Sequence, residues 1–123
     1  MGPATTLALL LSLGAPKMHV TIVKLSASQM KTQIDKTARA QLEPLKGCYD
    51  LALQTDPKLE GELSLDFELE PGSESLTHVT FSDSSSLKDE TVRACVSARL
   101  GSVPWPKPKA KNPVALTLSF AKR

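Results

Sequence analysis

The side chains with the widest chemical range in this sequence of 123 residues are two cysteines, Cys48 and Cys95, and two histidines, His19 and His78. The cysteines form no Cys-x-x-Cys pair, so the sequence lacks that redox motif. Two cysteines cannot make an all-cysteine tetrahedral zinc site, and a mixed site would need both histidines to converge on them. Their spacing does not suggest such a site, and we expect no metal there.

A row of carboxylates on one predicted strand, Asp66, Glu68 and Glu70, is the other group that could do chemistry. Residues two apart on a strand point to the same side of a sheet, roughly 6–7 Å apart. We interpret the row as a solvated face, and a cation site or a site for a basic partner is the alternative. Three consecutive serines at 84–86 are interpreted as a loop leading to a helix N-terminus, since no nucleophile-elbow pattern accompanies them.

These observations predict a protein without catalytic residues, metal ligands or a cofactor. His19 and His78 have no cysteine or carboxylate pair at ligand spacing in the sequence, so we interpret both as solvated side chains. There is no glycine-rich phosphate loop. Because no titratable cluster fits a reaction class, we expect that the protein is not an enzyme.

Composition is that of a globular protein with one domain, since 41% of the residues are hydrophobic and 23% are charged. Aromatic residues make up only 4%, which disfavours a base-stacking surface, and we expect no nucleic-acid partner. The formal net charge of +2 conceals net charges of +3 in residues 1–59, −8 in 60–90 and +7 in 91–123. These blocks either pair with one another across a sheet or form a bipolar surface that steers a partner.

The first seventeen residues are predicted to be a signal peptide or a hydrophobic leader that precedes a domain at 18–123. The apolar run 7–13 is too short to span a bilayer and has the length of a signal-peptide core. No basic residue precedes it, and Pro16 follows the candidate cleavage site at Ala15. A retained hydrophobic segment or an expression artefact is therefore the alternative.

The periodicity of apolar residues predicts six elements in the order β-α-β-β-α-β. A helix is expected from about residue 30 to an end near 55–57, with a kink or a break into two helices at Pro44, and another over about 87–100. Residues 104–113 are interpreted as a basic, proline-punctuated loop. Strands are predicted at 18–25, 62–70, 76–82 and 114–120. The predicted fold class is α+β, with a small antiparallel sheet covered on one face by two helices.

Four blocks of this sequence resemble the C-terminal domain of the AgmX/PglI family, and the likeness extends over about 25–121. The blocks are GCYDLAL at 47–53, DPKLEG at 56–61, VRACV at 92–96 and VPWP at 103–106. This family belongs to envelope proteins of gliding and related bacteria and is similar to the C-terminal domain of TonB. The chain departs from it in a longer turn between the central strands and in a lysine- and proline-rich loop before the last strand.

The resemblance implies a TonB-like binding module of the periplasm or cell envelope. Domains of this kind take an extended peptide from an outer-membrane partner and pair it with a sheet edge. The long, membrane-spanning members serve gliding and transport machines, and that motor role does not carry over to a chain without those parts.

We therefore expect a protein-binding module that pairs a partner peptide with the last strand, 113–121, lying at or near a sheet edge. Trp105 is expected to pack over the end of the core or, as the alternative, to anchor the partner. The edge-strand residues and the basic residues beside them are Val114, Leu116, Leu118, Phe120, Lys107, Lys109 and Lys111.

Cys48 and Cys95 each fall on the apolar face of a predicted helix, and both helices cover the same sheet. A disulfide between them is therefore expected, which would agree with an oxidising compartment. Two buried free thiols, or a redox or metal role, remain as alternatives.

A second expectation for function is self-assembly. The strand at 18–25 could pair with the edge of a neighbouring copy and build a dimer or a longer structural assembly in the cell envelope.

Overall fold

The structure, a computed structural model, describes residues 18–122, so the predicted leader at 1–17 lies outside the described residues. A four-stranded antiparallel sheet is combined with three helices, which confirms the predicted α+β class. The elements in chain order are β1 (Met18–Ala27), α1 (Lys31–Arg39), α2 (Leu42–Leu53), β2 (Gly61–Leu69), β3 (Leu76–Phe81), α3 (Glu90–Gly101) and β4 (Asn112–Lys122).

The first predicted helix is two consecutive helices, so the break is confirmed and the kink is wrong, and three helices are present where the predicted architecture has two. The chain breaks at Ala40 and Gln41, ahead of Pro44. Pro44 lies in the first turn of α2, where a backbone N–H has no partner within the helix. The proline therefore removes no helical hydrogen bond. At this position it is compatible with the start of a helix and does not cause a kink.

Strand β4 lies inside the sheet, because the strand order is β1-β4-β2-β3. Val114, for example, is opposite Ala27 in β1 and Phe67 in β2. The last strand pairs antiparallel with β2 as well as with β1, so the predicted partner-binding edge at 113–121 is wrong. Alternation of apolar and polar residues indicates that one face of a strand is buried. In a sheet covered on one face only, a central strand and an edge strand have the same alternation, so the pattern does not distinguish them.

The apolar side chains of β4 face the helices and are not available to a partner. Val114, Leu116, Leu118 and Phe120 are each at most 2% exposed. The apolar residues of β2, Leu63, Leu65, Phe67 and Leu69, are equally buried on the same face. One continuous core therefore lies between the sheet and the three helices.

A disulfide joins Cys48 in α2 to Cys95 in α3, with their Cα atoms 5.5 Å apart, so the predicted pairing is confirmed. The alternatives of free thiols and of a metal role for these cysteines are wrong, since neither cysteine is free. The bridge ties together two helices that are separated by two strands in sequence. A buried disulfide is compatible with an exported protein.

The three serines before α3 do not cap that helix. Its cap is Asp89, whose carboxylate accepts a backbone N–H of the first turn at 3.0 Å. Ser85 and Ser86 instead bind the backbone of β2, because the N–H of Ser64 donates to Ser85 Oγ at 2.9 Å and that of Glu62 to Ser86 Oγ at 2.8 Å. The serine loop thus accepts hydrogen bonds from the backbone of β2 in the part that extends past the end of the shorter β3.

Among the described residues, no helix is both long enough and apolar enough to cross a lipid bilayer.

We expect reduction of the disulfide to lower the free energy of unfolding by about 4 kcal/mol, the chain-entropy value for a closed loop of this length. The sequence separation of the two cysteines is 47 residues. Urea denaturation with and without reductant measures the difference, and the double variant C48A/C95A should be insensitive to reductant. Alkylation of two thiols in the unreduced protein would contradict the bridge.

Candidate functional site

Trp105 belongs to the core and does not anchor a partner, so that alternative is wrong. The indole is 2% exposed, and its Nε1–H donates to the carbonyl of Leu100 at 2.9 Å. Its ring packs on Phe67, with the ring centroids 5.1 Å apart. The backbone N–H of Trp105 also donates to the carbonyl of Glu74 at 2.9 Å, which fastens the proline-rich loop to the β2–β3 turn.

The three lysines of this loop have different surroundings. Lys107 and Lys109 are exposed. The ammonium of Lys111 lies 3.3 Å from Oε1 of Glu68 in β2. The predicted anchor of lysines and Trp105 beside a last-strand edge does not form, because β4 is central and Trp105 is buried.

The sheet has two edge strands, and they differ in how much regular backbone they leave available for pairing with another strand. β3 is six residues long, contains a register shift opposite β2, and is followed by the serine loop. β1 is ten residues long and pairs with β4 on one side, and no described strand lies along its other side. Such an edge presents unpaired backbone N–H and C=O groups along its length.

The middle of β1 carries a bulge that exposes an apolar side chain. The register passes from Ile22 opposite Leu118 to Lys24 opposite Thr117, which leaves Val23 without an opposite residue. Val23 is 54% exposed, and Leu51 in α2, at 51%, is the other large apolar side chain exposed in the described part of the chain.

The open face of the sheet, away from the helices, is polar and has a trough at the end where β4 begins. Small side chains of β4 run along this face, and Thr117 Oγ1 lies 3.0 Å from Ser64 Oγ of β2. The trough has a volume of about 660 Å³, and its lining residues include Ser26, Ser28, Asp66, Glu68, His78, Thr80, Pro113 and Ala115.

One wall of the trough contains a cluster of ionisable side chains. Nδ1 of His78 lies 3.2 Å from Oε1 of Glu68, and the carboxylate of Glu70 is close enough that one ligand atom from each residue lies within 4.8 Å of the others. His78 has a φ of 56°, in the left-handed region, at the register shift where residues 78 and 79 of β3 lie opposite Phe67. The bulge turns the imidazole toward the carboxylate row.

This cluster is not arranged as a catalytic relay. The hydroxyl of Thr77 and the carboxylate of Glu68 both approach Nδ1 of His78, at 3.1 and 3.2 Å. A carboxylate–histidine–hydroxyl relay needs its two partners on different ring nitrogens. The same side chains, two carboxylates and an imidazole, are suitable ligands for a metal ion.

The sequence pattern places the row Asp66, Glu68 and Glu70 on the solvent side of the sheet, and His78 as well. It does not indicate that His78 lies next to the carboxylates. The missing information is the register of the β2–β3 hairpin, which the bulge at His78 changes. Histidine is more common in left-handed backbone than most residues other than glycine, but its presence alone does not signal a bulge.

The phenol of Tyr49 in α2 has a pKa shifted from its ordinary value. Burial raises the pKa of its phenol above 10.0, and the charge of Glu60 raises it further. The hydroxyl donates to the carbonyl of Leu59, and the ring stands edge-on to Phe120 with centroids 5.4 Å apart. Tyr49 is therefore a structural residue that joins α2 to the end of β4.

Comparisons of the chain with protein families, with curated proteins and with solved structures found no match.

We expect the fluorescence of Trp105 to be blue-shifted and poorly quenched by acrylamide, because the indole is buried and hydrogen-bonded. Trp105→Ala should lower the free energy of unfolding by about 3–5 kcal/mol. Lys107→Ala, at an exposed position two residues away, should change it by less than about 0.5 kcal/mol. Emission typical of indole in water would contradict the buried position.

We expect the phenol of Tyr49 to ionise at higher pH in the folded protein than in urea. Because its folded pKa is raised, the fold is favoured while the phenol is neutral, and this contribution is lost as the pH rises from about 10 through the folded pKa. Tyr49→Phe should remove this alkaline loss while lowering stability at neutral pH by about 1 kcal/mol. Tyrosinate absorbance followed against pH is the measurement, and coincident titrations would contradict the raised pKa.

Proposed function

We propose that this chain is a non-enzymatic, exported protein-binding module that takes an extended segment of a protein partner as an added strand along β1. The observation that carries the proposal is the free edge of β1, which is ten residues long. An added strand gains main-chain hydrogen bonds along the edge, and alternate side chains give specificity.

The charge around this edge favours an acidic partner segment. Residues 18–39, which include β1 and the helix α1 that packs on it, hold four basic side chains and one acidic one. The acidic residue, Asp35, already accepts a hydrogen bond from Arg39 at 2.8 Å. Lys24, Lys31 and Lys36 are exposed and have no ion pair among the described residues, so they would attract carboxylates and speed the encounter.

We place the module in the bacterial cell envelope, with the periplasm as its compartment. The disulfide supports an oxidising environment. The resemblance of the sequence to the AgmX/PglI C-terminal domain supports membership of that TonB-like group and an outer-membrane protein as the source of the partner segment. The edge moves from the last strand to the first, but the mode of binding stays the same.

Self-assembly through the same strand is a second candidate function, and the position of the bulge favours it. In an antiparallel pair of two β1 strands related by a twofold axis between Ile22 and Val23, Val20 would lie opposite Leu25 and Thr21 opposite Lys24 of the second copy. The bulge shifts the alternation of inward and outward side chains by one residue at this axis. The two residues of each pair therefore lie on the same face of the sheet, and no two like charges lie opposite each other.

A photoreactive amino acid at Val23 tests both candidates, with the same group at Leu51 as the control, because the two positions are almost equally exposed. In an envelope fraction of the producing organism, we expect adducts from position 23 and not from position 51. Mass spectrometry should map the adduct to an acidic extended segment of another protein. Adducts between copies of this chain would establish self-assembly instead.

Equal adducts from positions 23 and 51, or none from position 23, would contradict both candidates. As a check on the mechanism, Val23→Lys should abolish the adducts formed by a probe at Thr21, since a charged side chain on an edge strand opposes pairing. Leu51→Lys should leave them unchanged.

A further inference from the structure

The wall of the trough on the open face brings together three side chains that no step of the proposed function uses. They are Glu68 and Glu70 of the β2 end and His78 of the β3 bulge. In the order β1-β4-β2-β3, Glu68 and Glu70 lie two strands from the β1 edge and His78 lies three, so their chemistry is separate from strand addition.

We propose that Glu68, Glu70 and His78 bind a divalent transition-metal ion of the zinc type. The donor set is one imidazole nitrogen and two carboxylate oxygens. Magnesium and calcium prefer oxygen-only sites, whereas an imidazole combined with carboxylates suits zinc and its neighbours. Two carboxylates also neutralise the charge of a divalent ion, and solvent can supply the fourth ligand.

The distances fit such an ion. Zinc bonds of about 2.0–2.2 Å at tetrahedral angles put two ligand atoms about 3.3–3.5 Å apart. Oε1 of Glu68 and Nδ1 of His78 are 3.2 Å apart, which is already close to one edge of that tetrahedron. Glu70 comes from the same strand face two residues on, and its ligand atom is within 4.8 Å of the other two, so a side-chain rotation closes the site.

A second observation distinguishes this cluster from an exposed row of carboxylates. Oε1 of Glu68 is shielded from solvent and accepts no hydrogen bond of good geometry, although Nδ1 of His78 lies 3.2 Å from it and the ammonium of Lys111 lies 3.3 Å from it. A buried carboxylate oxygen without a donor is unfavourable. A metal ion at this position would satisfy the oxygen.

Lys111 is the group that the ion would displace. Its ammonium lies 3.3 Å from Oε1 of Glu68, while its side chain is 59% exposed. An exposed ion pair contributes little to stability, so the lysine can turn into solvent with little loss. Lys111 and the ion therefore compete for one carboxylate, and removal of the lysine should strengthen metal binding.

Calorimetric titration of the tag-free protein with Zn²⁺ tests the site, together with amide shifts of the labelled protein. We expect one saturable site and shifts centred on residues 68, 70 and 78. His78→Asn should weaken binding about ten-fold or more, because it removes the imidazole while asparagine tolerates the left-handed backbone. Glu70→Gln should weaken it as well, and Lys111→Ala should tighten it.

His19→Asn is the matched control, since it removes the other histidine, which lies on β1. It should leave the zinc affinity unchanged. Absence of saturable binding at millimolar Zn²⁺ would overturn the proposal. So would an affinity that is unaffected by His78→Asn, or one that falls equally with His19→Asn. Thermal unfolding of each variant without metal shows that the fold is retained, so a lost site cannot be mistaken for a lost fold.

Discussion

Strand β4 pairs along its length with β1 on one side and β2 on the other, and the rest of the structure depends on this double pairing. The last strand in sequence thereby joins the first strand to the central hairpin. Its alternate apolar residues form the middle of the sheet's buried face, against which the helices pack. Because β4 has a strand on each side, the unpaired backbone edges of the described sheet belong to its two outer strands, and the longer of these is β1.

The same arrangement separates the charges of the chain. The proline-rich loop before β4 lies against the acidic hairpin, where the N–H of Gly72 donates to the carbonyl of Pro108 at 3.1 Å and Lys111 pairs with Glu68. Part of the basic C-terminal block therefore neutralises the acidic block within the fold. The basic side chains of β1 and α1 lie at the other edge of the sheet, so a bipolar surface also remains. Pairing across the sheet and a bipolar surface, two alternatives at the level of sequence, are both present.

The local features of the fold could be predicted from the sequence, and the non-local ones could not. Alternation in 63–69 identified β2 and its buried face, and the placement of Cys48 and Cys95 on apolar helix faces identified the disulfide. The central position of β4 depends on pairing with residues about ninety positions earlier in the chain. Periodicity describes which face of a strand is buried and contains no information about its neighbours.

The candidate sites show the same limit at the level of single residues. The bulges at Val23 and His78 depend on the register of two paired strands. Each bulge changes which side chains are exposed or brought together at its site. At Val23 the bulge exposes an apolar side chain on the free edge. At His78 it directs an imidazole to two carboxylates that the sequence had placed in a solvated row.

Native-state hydrogen exchange of the free protein tests the central claim most directly, because it reads the pairing of each strand. We expect the slowest exchange along β4, whose amides lie between two strands, and rapid exchange at alternate amides of β1, along whose outer side no described strand lies. Rapid exchange at alternate amides of β4, with uniform protection along β1, would contradict the claim and would return the free edge to the last strand.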